Sequence, residues 1–100
     1  MRRKIFMVHI TLPEVFDANF YRLIPSQRMT VNRLLDKNII LSYSLDMKRK
    51  NVWMFMRAKT ELEVMDIVST FPILHRVKVS INELAFYDTA PVNLPEIVLN

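Results

Sequence analysis

Three observations predict an α+β fold built on a four-stranded antiparallel sheet. Runs rich in β-branched and apolar residues recur at Lys4–Thr11, Ile39–Met47, Val52–Ala58 and Arg76–Tyr87. Stretches of helical period separate the first run from the second and the third from the fourth. The middle two runs are joined by a short charged turn, Lys48–Asn51, and so pair as a hairpin. Strand, helix, strand, strand, helix, strand is the split βαβ order of ferredoxin-like domains, with both helices on one face of the sheet.

Each element has its own local warrant. Lys4–Thr11 stops at Leu12-Pro13, and neither of its faces (Phe6, Val8 and Ile10, or Ile5, Met7, His9 and Thr11) is polar enough to be simply solvated. Asp17–Lys37 places Phe16, Phe20, Leu23, Ile24, Val31, Leu34 and Leu35 on one stripe, with Gln27 in its middle. Pro25 interrupts that stripe at a cost of about 3 kcal/mol in a helix interior. Two helical pieces, the second opened by Pro25, are therefore expected. At the hairpin tip Asn51 is the residue expected to tolerate a left-handed backbone where glycine would be usual. Thr60-Glu61-Leu62-Glu63 is a capping box opening the second helix, which runs to about Thr70 and buries Val64, Ile67, Val68 and Phe71. Arg76–Tyr87 alternates Val77, Val79 and Ile81 against Lys78, Ser80 and Asn82, as a last strand should.

Composition bounds the function. One hundred residues with 51% apolar and aromatic side chains suit a single well-packed domain, here residues 1–90. The net charge of +4 is modest, with basic runs only at Arg2-Arg3-Lys4 and Lys48-Arg49-Lys50. Cysteine is absent, which excludes disulfides, thiolate catalysis and cysteine zinc sites and fits a reducing cytoplasm. Two histidines without a third ligand at suitable spacing predict no metal site. Glycine is absent too, so phosphate-cradling loops and nucleotide cofactors are not expected. The basic start has too brief an apolar run for a signal peptide, and no segment approaches the roughly 18 apolar residues of a membrane span.

Both hairpin strands are apolar on both faces. A monomer would leave a large patch on the open side of the sheet, so a second subunit's sheet laid face to face is expected, giving a dimeric α+β barrel. The tail, Ala90–Asn100, is apolar enough to predict an arm (residues 91–100) packed on a neighbouring subunit.

Asn51-Val52, Thr60-Glu61-Leu62, Phe71-Pro72-Ile73 and Leu84-Ala85 resemble the muconolactone isomerase family. Leu23-Ile24-Pro25-Ser26-Gln27-Arg28 with Val31-Asn32, then Ile40-Leu41-Ser42-Tyr43-Ser44, is more similar to that enzyme's uncharacterised relatives than to the enzyme itself. The likeness spans roughly residues 4–90. It implies a dimeric barrel, in some cases a larger ring of dimers, with a small-molecule cavity and an isomerase working without a cofactor on a small carboxylate or lactone.

Such a reaction moves a proton and needs a group that titrates near neutrality. His9 is the candidate base, against the competing reading of a satisfied core histidine. Ser42 and Ser44 alternate with Asp46 on one side of the second strand; they are either a polar patch with His9 or an edge strand's wet side. Arg28 and Asn32, four apart, suit a carboxylate or are an ordinary helix-surface pair. Trp53, with Tyr43, is a candidate pocket wall or core. Arg57 is a strand-end charge or an acid-binding group, and His75 is expected at the surface. A non-catalytic binding or assembly protein is the main alternative. An RNA-binding module of the same strand order is a remote one, weakened by the missing glycines.

Overall fold

The computed structural model describes residues 3–91. The expected C-terminal arm therefore lies almost wholly outside the described residues. The chain runs β1 (Lys4–Thr11), α1 (Ala18–Asp36), β2 (Ile40–Leu45), β3 (Asn51–Ala58), α2 (Glu61–Val68) and β4 (Lys78–Glu83). The strands lie in the order β2-β3-β1-β4, all neighbours antiparallel. This is the ferredoxin-like α+β fold.

One face of the sheet carries the core. Phe6, Val8 and Ile10 of β1 and Val52, Met54, Met56 and Ala58 of β3 are buried there, together with Ile40, Val31, Val64, Val68 and Phe71. Each fully buried large apolar side chain contributes about 1.5–3 kcal/mol of transfer free energy. Phe6 sits opposite Met56, Val8 opposite Met54 and Ile10 opposite Val52, so the two central strands present one continuous apolar surface to the helices.

The helix ends follow from their sequences. Asp17 caps α1 by accepting from the Phe20 N–H at 2.8 Å. Its far end closes as a Schellman turn built on asparagine: Asn38 takes φ 57°, its N–H donates to Leu35 O, and the Ile39 N–H donates to Leu34 O. Thr60 caps α2 through the Glu63 N–H at 3.1 Å, and Glu63 reaches back one residue further than a standard box, to the Lys59 N–H at 3.3 Å.

Three expectations are corrected. Pro25 does not divide the helix; it lies inside one continuous α1 of 19 residues. Buried residues on both sides of it, Phe20 before and Gln27, Thr30 and Val31 after, keep the helix continuous through it. The last strand is Lys78–Glu83 only, because Leu74–Arg76 winds into a short 3-10 turn before it. The left-handed residue of the hairpin is Arg49, φ 58°, and not Asn51, which is the first residue of β3. Asp46 accounts for that choice. Its carboxylate accepts from the Lys50 and Asn51 N–H groups at 2.8 and 3.1 Å, which fixes the residues after Arg49 and offsets the roughly 1–2 kcal/mol cost of its backbone.

Strand β2 also holds a bulge. Ile40 sits opposite Met56 but Ser42 opposite Phe55, so Leu41 is the extra residue. The shift puts Ile40 and Tyr43 on the helix side and Ser42 and Ser44 on the open side.

Candidate functional site

The candidate residues divide between the two sides of the sheet. On the open side, one cross-strand row reads Ser44, Trp53, His9, Ser80, and the next reads Ser42, Phe55, Met7, Asn82. His9, Ser42, Ser44 and Trp53 are thus brought onto one face. His9 and Trp53 are stacked, with ring centres 5.7 Å apart and planes 11° from parallel. His9 Nε2 lies 2.8 Å from Asn51 Oδ1, and the Asn51 amide nitrogen donates to Asp46 Oδ2 at 3.0 Å. The Asp46 carboxyl is held below its ordinary value, first by the Asn51 side chain and next by the Asn51 backbone N–H. His9 is therefore half-buried and hydrogen-bonded, with a carboxylate behind its partner.

On the helix side, a cavity of about 280 Å³ opens between α1 and the hairpin end of the sheet. Its walls are mainly Leu12, Phe16, Phe20, Ile24, Val52 and Ile73. Four side chains give it polarity. Gln27 is 5% exposed; its Oε1 accepts from the Ile73 N–H at 3.4 Å, and its Nε2 has no hydrogen-bond partner among the described residues. Tyr43 has its hydroxyl pushed up by burial, an effect opposed by the Gln27 amide and the Arg28 guanidinium. Arg28 and Arg49 line the same space, and no aspartate or glutamate does. Among the described residues neither arginine is in a salt bridge; the two that form are Lys4–Glu83 and Arg76–Asp17.

Arg28 thus belongs to a site with Gln27 and Tyr43 and is not brought together with His9. Asn32 is exposed and is absent from the cavity wall. Arg57 is half-buried on the open face, and His75 is exposed. Asn51, bonded to His9, and Arg49, in the cavity wall, are the neighbours of the candidate residues that sequence reasoning missed. The available signal was the spacing Asp46 to Asn51 across a charged turn, which suits an aspartate folding back on the backbone. Arg49 carries no comparable signal, because its place in the cavity wall depends on the turn geometry.

No protein-family profile matches the chain, and no curated protein matches it.

Proposed function

We propose that the protein binds a small carboxylate, with the cavity beside α1 as its site. The observation that carries this is the buried Gln27 Nε2, which has no acceptor within hydrogen-bond distance among the described residues and shares its wall with the Tyr43 hydroxyl, Arg28 and Arg49. A ligand carbonyl or carboxylate oxygen can accept from that amide, while Arg28 supplies a planar fork for an anionic group. The volume, near the lower end of the roughly 300–1,000 Å³ range of ligand pockets, suits a small ligand. The absence of a carboxylate or imidazole from this wall favours binding over proton abstraction there. Such a ligand agrees with the resemblance to the muconolactone isomerase family, and the cysteine-free sequence fits a cytoplasmic setting.

Ligand-observed NMR with small aromatic and lactone monocarboxylates is the test. Binding is expected, weakened about tenfold to a hundredfold by Arg28→Ala, the scale of a charged hydrogen bond. No binding across that set, or binding indifferent to Arg28, overturns the reading.

A second reading, a cofactor-independent isomerase, is favoured by His9 held between Trp53 and Asn51. It uses the open face, where an apolar surface is proposed to meet a second copy of the chain and enclose the imidazole.

A further inference from the structure

The donors and acceptors at the hairpin tip dictate which nitrogen of His9 carries hydrogen. An ionised carboxylate only accepts hydrogen bonds. Asp46 Oδ1 is taken by two backbone N–H groups, and Oδ2 is 3.0 Å from the Asn51 amide nitrogen. Flipping that amide would set its oxygen against the carboxylate, acceptor against acceptor, so the NH2 must face Asp46. Asn51 Oδ1 is then aimed at His9 Nε2 from 2.8 Å. A carbonyl oxygen cannot donate, so Nε2 has to.

We propose that Asp46 and Asn51 are positioning residues that hold neutral His9 as its Nε2–H tautomer, leaving Nδ1 as the ring's one basic nitrogen. Trp53, stacked on the imidazole, limits how far the ring can tilt away from Asn51. The strands flanking β1 set Trp53 and Ser80 opposite His9, neither of them charged. In that tautomer the nitrogen His9 has left to accept a hydrogen bond from a ligand is Nδ1. In the isomerase reading, a substrate C–H proton goes to Nδ1 while its electron pair stays on the substrate. Nε2–H remains on Asn51, and the same proton returns from Nδ1 to another carbon. The tautomer assignment goes beyond carboxylate binding in the cavity and holds whether or not any substrate is turned over.

Long-range proton–nitrogen NMR correlations on the full, histidine-labelled chain test it, at about pH 9 where an ordinary imidazole is neutral. In the wild type, His9 Nε2 is expected to resonate as a protonated pyrrole-type nitrogen and Nδ1 as a pyridine-type one. Exposed His75 serves as the internal reference. Asp46→Asn lets the Asn51 amide turn over, and Asn51→Ala removes the acceptor. Either change should raise the Nδ1–H share of His9 about fivefold, the scale of one hydrogen bond, without moving His75. Asp46 also fastens the turn, so Asn51→Ala decides the matter if Asp46→Asn disturbs the fold. A wild-type His9 that mixes tautomers as His75 does overturns the proposal, and so does an Asn51→Ala variant with the wild-type ratio.

Discussion

Successive residues of β1 meet two different environments. Phe6, Val8 and Ile10 are wholly buried beneath α1 and α2, whereas Ile5, Met7 and His9 are only half-buried on the other side of the same strand. In β3 the contrast repeats, with Val52, Met54 and Met56 buried and Trp53 39% exposed. Yet the open face is not a polar face. Met7, Trp53 and Phe55 are as apolar as the residues they alternate with, and Tyr87 covers Phe55 only in part, ring centres 5.0 Å apart. The helix side is closed by the chain's own packing; the open side is apolar at Met7, Trp53 and Phe55 on its two central strands and polar at Ser42, Ser44, Ser80 and Asn82 on the strands that flank them. The chemistry divides the same way. An arginine-bearing cavity without a base lies under α1, and a base held by an asparagine lies on the open face.

Truncating one residue on each side of β1 measures that contrast. Phe6→Ala should cost about 3–5 kcal/mol, because the helices cannot collapse fully into the space left. Met7→Ala in an isolated chain should cost under about 1.5 kcal/mol, since a half-buried side chain loses less contact and leaves no closed void. Urea unfolding of both variants at low protein concentration gives the comparison. Equal losses would mean that the open face is as well packed as the covered one.

The second test asks what covers the open face. Phe55→Glu places a charge in the middle of it. If this surface meets a second copy, as proposed, the variant should be monomeric at concentrations where the wild type is dimeric, by sedimentation velocity. Within the chain itself the loss should be only about 1 kcal/mol, the worth of the aromatic contact with Tyr87. A wild type that is itself monomeric at every concentration removes the need for a partner sheet.

The two faces also differ in how much of them was legible beforehand. Period-2 and period-3.6 patterns report alternation and helix faces, so the element order and the apolar stripe of α1 could be read directly, whereas the choice of Phe6/Val8/Ile10 and Val52/Met54/Met56 as the buried sets could not, because both faces of β1 and β3 are apolar. Gln27 stood out because an amide in an apolar stripe is locally anomalous. The bulge at Leu41 could not be read: it is a feature of pairing between β2 and β3, and it alone decides which way Tyr43 and Ser42 point. Pro25 misled for a related reason. Propensity scores a residue in isolation, while α1 is kept continuous through Pro25 by the burial of Phe20, Gln27 and Val31. Arg28 and His9 could not be assigned to separate sites without knowing which side of the sheet α1 covers.

The smallest expected effect lies at the margins of both layers and is driven by acid. Asp17 has its carboxyl lowered first by the Phe20 N–H and next by Arg76, and Asp46 has its own lowered first by the Asn51 side chain. A carboxyl with a lowered folded-state value stabilises the fold above its unfolded value. That contribution is lost as the pH falls through the folded value. Both groups lie at the surface, so neither holds the core. Acidification below about pH 4 should therefore loosen two edges before anything else, the α1 cap on the covered side and the hairpin tip under His9. Amide hydrogen exchange should find the Phe20, Lys50 and Asn51 N–H groups losing protection at a pH where the central β1 and β3 amides keep theirs. Asp46→Asn should abolish the acid dependence at Lys50 and Asn51 and leave Phe20 titrating through Asp17. Were all these amides to lose protection together, at the pH of global unfolding, the tip would be no separate unit, and the orientation of His9 would follow from the packing of the sheet and not from Asp46.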